Sequence, residues 1–193
     1  MSDLKDLVIV GGPNGSGKTT FARNYLRLRP MIYLSADDIA ARISPQQPER
    51  ARIEAGREFI QRAHELIHAG KEFLIESTLS GRSLQRLIQE AKRHDYTIEI
   101  IFIFLESPNI CLKRIRERVS RGGHDVPEED VRRRFSRSKR NFWQIYRHEA
   151  DYWHLFYNAE SSLPTAALGR KGLCKSADEE LLSIFLQDME SDR

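Results

Sequence analysis

Short apolar blocks alternate along this chain with longer stretches whose apolar residues recur at helical spacing. Residues 7–11, from Leu7 to Gly11, form an apolar, β-branched run backed by a glycine-rich turn, which predicts a fully buried strand. A helix is expected from Lys18 to about Leu28, then a second strand from Met31 to Leu34. Ser35 is placed to cap a helix that begins near Ala36, with Asp38 at its third position. Between Pro48 and Gly70 the residues Ile53, Phe59, Ile60, Ala63, Leu66 and Ile67 keep helical spacing, and Gly70 is expected to close that helix.

Phe73 to Ile75 reads as a third strand, Arg82 to His94 as a helix, and Thr97 to Leu105 as the strongest strand signal, hence a central one. Ser107 and Pro108 suit the N-cap and first position of a helix that runs to about Arg121 and stops at Gly122-Gly123. A basic helix follows from near Pro127, opened by Glu128, Glu129 and Asp130, with Val131, Phe135, Ser138, Phe142 and Ile145 as its inward stripe. Residues 152–157 predict a late strand and Ala177 to Met189 a terminal helix. Strands alternating with helices predict an α/β fold, a parallel sheet with helices on both faces, in one domain spanning residues 1–193.

At 193 residues the chain can bury roughly 70% of its unfolded surface without staples. Cys111 and Cys174 are too few for a disulfide framework, so a reducing, cytoplasmic setting is the expectation. No apolar stretch approaches the roughly eighteen residues of a membrane span, and no leader pattern opens the chain. Charge is unevenly spread. The chain is +3 overall, but Lys113 to Arg147 holds twelve Lys or Arg against five acids, an excess that suits a solvated face, a nucleic-acid patch or a phosphate clamp.

Gly12-Pro13-Asn14-Gly15-Ser16-Gly17-Lys18-Thr19 matches the Walker A pattern at every defined position, between a predicted strand and a predicted helix. The chemistry needs that context. Glycines let successive N–H groups turn toward an anion, and the helix N-terminus adds partial positive charge at the same point. Lys18 is expected to reach the β and γ phosphates of ATP and the Thr19 hydroxyl to hold Mg²⁺, with Thr20 supporting the helix turn.

Three further stretches carry a family resemblance: Leu34 to Ala40 (LSADDIA), Phe73 to Gly81 (FLIESTLSG), and Arg121 to Pro127 (RGGHDVP) leading into Arg132-Arg133-Arg134-Phe135. Together with the phosphate loop they cover residues 7 to about 145, and in combination they resemble the zeta-toxin family of P-loop kinases. The resemblance implies a P-loop NTPase fold with an Arg-rich helical lid around 113–147. It also implies transfer of a phosphoryl group from ATP to a sugar hydroxyl, with uridine diphosphate N-acetylglucosamine as the acceptor of the toxin members. An antitoxin partner is left open.

Asp37, just past a strand end, is the expected general base toward an acceptor hydroxyl, and it matches the family's catalytic aspartate. Asp38 is explained by the capping box. Glu76 suits a metal-bound water or a substrate hydroxyl, the latter favoured by the resemblance, or an ion pair at the sheet end. Ser77 and Thr78 offer hydroxyls to substrate or to local backbone. Arg121 and Arg134 are expected to neutralise the transferring phosphoryl group across a Gly122-Gly123 hinge, with Arg114 and Arg118 widening the field. His124, in the expected lid, suits either a substrate hydrogen bond or a loop cap.

His64-Glu65-Leu66-Ile67-His68 matches the zinc-protease pattern H-E-x-x-H. The match reads as a coincidence at a helix edge, because only isolated Glu72, Glu76 and His94 are available as a third ligand. Two other functions compete with a small-molecule kinase. One is a polynucleotide-end kinase using the basic surface, and the other is a nucleotide-dependent switch that signals to a protein partner.

Overall fold

The computed structural model describes residues 5–123 and 125–190. Seven strands form one sheet: β1 (Lys5–Gly11), β2 (Ile32–Ser35), β3 (Phe73–Ser77), β4 (Tyr96–Phe104), β5 (Tyr152–Tyr157), β6 (Thr165–Arg170) and β7 (Leu173–Ser176). Their order is β2-β3-β1-β4-β5-β6-β7, which puts β4 at the centre as expected. The first five are parallel, so all of them end at the same edge.

The helices are α1 (Lys18–Leu28), α2 (Ala36–Ile43), α3 (Arg52–His68), α4 (Ser83–Arg93), α5 (Pro108–Ser120), α6 (Glu128–Asn141), α7 (Arg147–Glu149) and α8 (Glu179–Glu190). Ser35 and Ser107 cap α2 and α5 as their sequence context predicts, accepting from the N–H of Asp38 and Ile110. At Gly122-Gly123 the amides donate to the carbonyls of Val119 and Arg118, the paired bonds that close a helix in a Schellman motif.

The strand faces sort the core. Leu7 and Ile9 of β1, with Ile98, Ile100, Phe102 and Phe104 of β4, face a large core closed by α2, α3, α4, the Phe142 segment and Phe185 of α8. Val8, Val10, Ile101 and Ile103 face the other way, against α1. A separate cluster of Leu105, Cys111, Leu112, Ile115, Val126, Val131 and Phe135 joins α5 to α6.

Three expectations need correction. The sheet is mixed, because β6 runs antiparallel to β5, and β7 to β6. The β6–β7 turn places Lys171 and Gly172 at φ 48° and 82°, the conformation that Asn-Gly usually announces, and β7 is exposed throughout. Neither a turn signature nor an apolar alternation therefore marked this hairpin. Ile53, counted among the apolar residues at helical spacing, is 75% exposed: α3 begins at Arg52 after a 3₁₀ turn at Pro48–Ala51 and buries Ala55, Phe59, Ala63 and Ile67 instead. After Ser138 and Phe142 the buried position is Tyr146, with Ile145 only half-buried: residues Phe142–Tyr146 form a π-helical turn, whose longer repeat moves the inward position on by one.

Phe142 is fully buried, stacked on Phe102 at 4.4 Å between centroids and edge-on to Trp153 and Phe185. Phe142→Ala is expected to cost about 3–5 kcal/mol in chemical denaturation, whereas Ile53→Ala should stay within about 0.5 kcal/mol.

Candidate functional site

The phosphate loop and three further segments of the site each follow the C-terminal end of a parallel strand. Gly12 to Gly17 follow β1, Asp37 follows β2, Glu76 to Thr78 close β3 and its loop, and Asn158 follows β5. An open parallel sheet collects its ligands at that edge.

The phosphate loop is a tight cradle. Gly17, the N-cap of α1, has φ 97°, and a Cβ there would sit 2.4 Å from the Asn158 amide nitrogen. Gly12 has φ 144°, and a Cβ would meet the Ile103 carbonyl at 2.2 Å. Asn158 locks the loop: its side-chain amide donates to the Ser16 carbonyl at 2.8 Å, and its backbone N–H donates to the Phe104 carbonyl at 3.0 Å. Asn14 Oδ1 and Ser16 Oγ are buried and without a hydrogen-bond partner among the described residues, so the loop holds polar capacity that its own fold does not use.

Lys18 is buried, and its ammonium donates to the Pro13 carbonyl at 2.9 Å. Desolvation pushes its pKa down, opposed by the charges of Glu76 and Asp37. Thr19 Oγ1 donates to Glu76 Oε1 at 2.9 Å, and the Tyr33 hydroxyl donates to Glu76 Oε2 at 2.6 Å. Burial first, then the Glu76 charge, raises the Tyr33 pKa, so this phenol stays protonated and remains a donor. A hydroxyl and a carboxylate held together beside a phosphate loop fit the oxygen ligands of Mg²⁺, which binds through one or two protein groups plus phosphate and water. Asp38 has its pKa raised by desolvation and then by Glu76, with Arg23 opposing.

Two cavities meet at these side chains. One, of about 160 Å³, is lined by the phosphate loop, Thr19, Thr20, Arg114 and Arg118; the other, of about 220 Å³, by Ser35, Phe59, Ser77, Thr78 and Arg134. Lys18, Asp37 and Glu76 line both. A third and larger cleft, of about 1120 Å³, runs outward past Thr20, Phe21, Arg114, Arg121 and Asn158 to Leu163.

Arg134 is half-buried and paired with Asp130 at 3.2 Å, while Arg132 and Arg133 are exposed. Arg121 lies on the wall of the outer cleft, and it is Arg114 and Arg118 that line the phosphate cavity. Helical spacing put the three on one face but could not say how deep each would sit. His124 lies outside the described residues. Cys111, whose carbonyl backs Gly15, has its thiol pushed up to about 11 by burial against the opposing pull of Lys18, so it is inert at neutral pH.

Several site residues gave no sequence signal. Asn158 lies 142 residues from the carbonyl it grips, and Tyr33 is 43 residues from Glu76. The loop after β3 is pinned from α6 and the π turn: Ser138 Oγ donates to the Thr78 carbonyl, Asn141 to the Leu79 carbonyl at 2.9 Å, and Tyr146 to the Gly81 carbonyl at 2.7 Å. Ser138, read as one more member of an inward stripe, is buried because it makes this bond. The loop's own hydroxyls include Thr78 Oγ1, 2.9 Å from Ser80 Oγ.

No described helix is long and apolar enough to cross a membrane. Among known proteins, one of Haemophilus influenzae, itself uncharacterized, is 38% identical over 124 residues, which is 64% of this chain and 88% of that protein. The crystal structure of the AvrRxo1-ORF1:-ORF2 complex with ATP matches at a TM-score of 0.72 and 18% identity over 94% of this chain, which spans 63% of that one. This chain thus spans less than two thirds of that protein's length. The PezAT chromosomal toxin-antitoxin system of Streptococcus pneumoniae matches at a TM-score of 0.63 and 16% identity, over 98% of this chain and 88% of that one. These likenesses are of fold alone. A family model for the AAA domain matches residues 7–142, from the first strand to Phe142 just past α6, and the chain belongs to that family.

Proposed function

We propose that this protein transfers the γ-phosphoryl group of ATP to a hydroxyl of a small-molecule acceptor, most simply the sugar of a nucleotide sugar. The observation that carries this reading is the pair of adjoining cavities that share Lys18, Asp37 and Glu76. In a kinase, donor phosphate and acceptor hydroxyl must meet in line at one point, with cationic charge on the donor side and a proton acceptor on the other. The phosphate cavity supplies Lys18, Arg114 and Arg118, and the second cavity supplies Asp37, Ser77 and Thr78.

In this mechanism the loop amides and Lys18 hold the β and γ phosphates, and the outer cleft takes the nucleoside. Thr19 would hold a Mg²⁺ ion directly and Glu76 through water, and the ion would supply positive charge to offset that of the phosphates. Asp37 orients the acceptor hydroxyl and takes its proton as the new P–O bond forms and the bond to the ADP leaving group breaks. Arg134 approaches the transferring group from the acceptor side, with Asp130 fixing its guanidinium. The second cavity, at about 220 Å³, is smaller than the roughly 300–1,000 Å³ that enclose a drug-sized ligand, which favours one sugar ring over a larger aglycone. Residues 113–147 serve as lid of a single kinase unit. The bonds from Ser138, Asn141 and Tyr146 to the loop after β3 support a motion that closes both cavities together.

Phosphoryl transfer measured against nucleotide sugars, nucleosides, nucleotides and oligonucleotide ends tests the reading. Asp37→Asn is expected to lower turnover at least about 100-fold while ATP affinity by calorimetry stays unchanged; unimpaired transfer would remove Asp37 from its role. Selective labelling of oligonucleotide ends, with a steep salt dependence, would move the acceptor to nucleic acid.

Chelating Mg²⁺ is expected to abolish transfer, and Thr19→Ala or Glu76→Gln to raise the Mg²⁺ concentration needed for half-maximal rate. Because the two side chains touch, the double variant should be little worse than the more severe single one, a non-additivity that titrations of all three variants would reveal.

A further inference from the structure

Helices α3 and α4 end side by side at the edge of the sheet where β3 and β4 begin, away from the phosphate loop, and each ends in a histidine. His68 is the last residue of α3 and His94 is the C-cap of α4. Their rings meet edge to face, with centroids 4.8 Å apart. Glu90 lies between the helices, one carboxylate oxygen 3.3 Å from His68 Nε2 and the other 2.8 Å from His64 Nδ1. His68, Glu90 and His94 each present one donor atom, and the three lie within 4.8 Å of one another.

We propose that His68, Glu90 and His94 form a binding site for a divalent transition-metal ion, zinc above all, with His64 orienting the Glu90 carboxylate. Two features favour an ion over a simple hydrogen-bonded cluster. A tetrahedral zinc ion held at about 2.0–2.1 Å by nitrogen and oxygen ligands sets its donor atoms roughly 3.4 Å apart, so the His68–Glu90 pair is already at ligand spacing and His94 needs only a side-chain adjustment. Both histidines also sit where a helix dipole ends in partial negative charge, so two backbone fields converge on the same cation. The second carboxylate oxygen, held by His64, is the outer-shell contact that fixes a ligating carboxylate.

Part of this set is the H-E-x-x-H match at residues 64–68, for which the sequence offered only isolated Glu72, Glu76 and His94 as a third ligand. Packing of α4 against α3 supplies both that ligand and the carboxylate. The site is no protease centre: Glu65, the residue such a centre would use as base, is exposed and accepts from Gln61 at 2.9 Å on the same helix. Its place suggests a clamp instead. Gly56 and Phe59 of α3 and Ser83 and Leu84 of α4 wall the acceptor cavity. From Gly56 to His68 the helix rises about 18 Å, so a metal at the far ends would tie together the two helices that shape the cavity without touching the chemistry.

The test uses the full chain, free of any histidine tag and stripped with chelator, titrated with zinc by calorimetry and with cobalt(II) by visible absorption. One ion per chain is expected, with the absorption of a tetrahedral cobalt site and a rise in melting temperature that Mg²⁺ does not reproduce. The His68→Ala/His94→Ala double variant should lose at least about 100-fold in zinc affinity, and His64→Ala about tenfold, with ATP binding intact in both. Equal melting temperatures in chelator would show that the variants are folded. Failure of the wild type to take up a stoichiometric ion, or undiminished uptake by the double variant, overturns the assignment.

Discussion

A buried ammonium group is the constraint around which the site is built. Lys18 sits largely buried at the start of α1, and an uncompensated cation there would cost several kcal/mol. Three groups from different parts of the chain offset it: the Pro13 carbonyl by a direct bond, and Glu76 and Asp37 by charge. Glu76 can act so only because Thr19 and Tyr33 hold its two oxygens, one from α1 and one from β2. The first three strands in space are thereby coupled through one carboxylate. Parallel pairing makes this possible, since Ser35 and Val10 lie in register with Glu76 and their following loops leave from the same edge.

The second constraint is the grip of late residues on early loops. Asn158, at the end of β5, ties the phosphate loop to the end of β4. Ser138, Asn141 and Tyr146 tie the loop after β3 to the α6 segment. Both cavities are therefore bordered by segments anchored to the C-terminal half, and the π turn at Phe142–Tyr146 keeps Ser138, Phe142 and Tyr146 aimed inward at once. Arginines on α5 and α6 line these adjoining cavities, so any shift of that helical pair changes the field in the first cavity as well as the shape of the second.

Much of the architecture was legible because it rests on local rules. Buried parallel strands need continuous apolar runs, caps need Ser or Gly at fixed offsets, and a loop that wraps an anion needs glycines where φ is positive. Residues 12–19, the Ser35 and Ser107 caps, and the run in β4 satisfied those rules within a few residues of sequence. The β6–β7 hairpin obeyed none of them visibly: its turn uses Lys171 where Asn is usual, and its outer strand is wholly exposed.

The candidate site divides in the same way. By itself the sequence determined the phosphate loop, the placement of Asp37 and Glu76 at strand ends, and the sign of the charge on α5 and α6, since each follows from residue type and short spacing. Only the tertiary structure decided that Arg114 and Arg118, and not Arg121, reach the phosphate cavity, that Asn158 locks the loop, and that His94 and Glu90 meet His68. Those outcomes depend on how far each helix slides along the sheet and which faces pack, distances set by side-chain volumes summed over the whole core and by no local pattern.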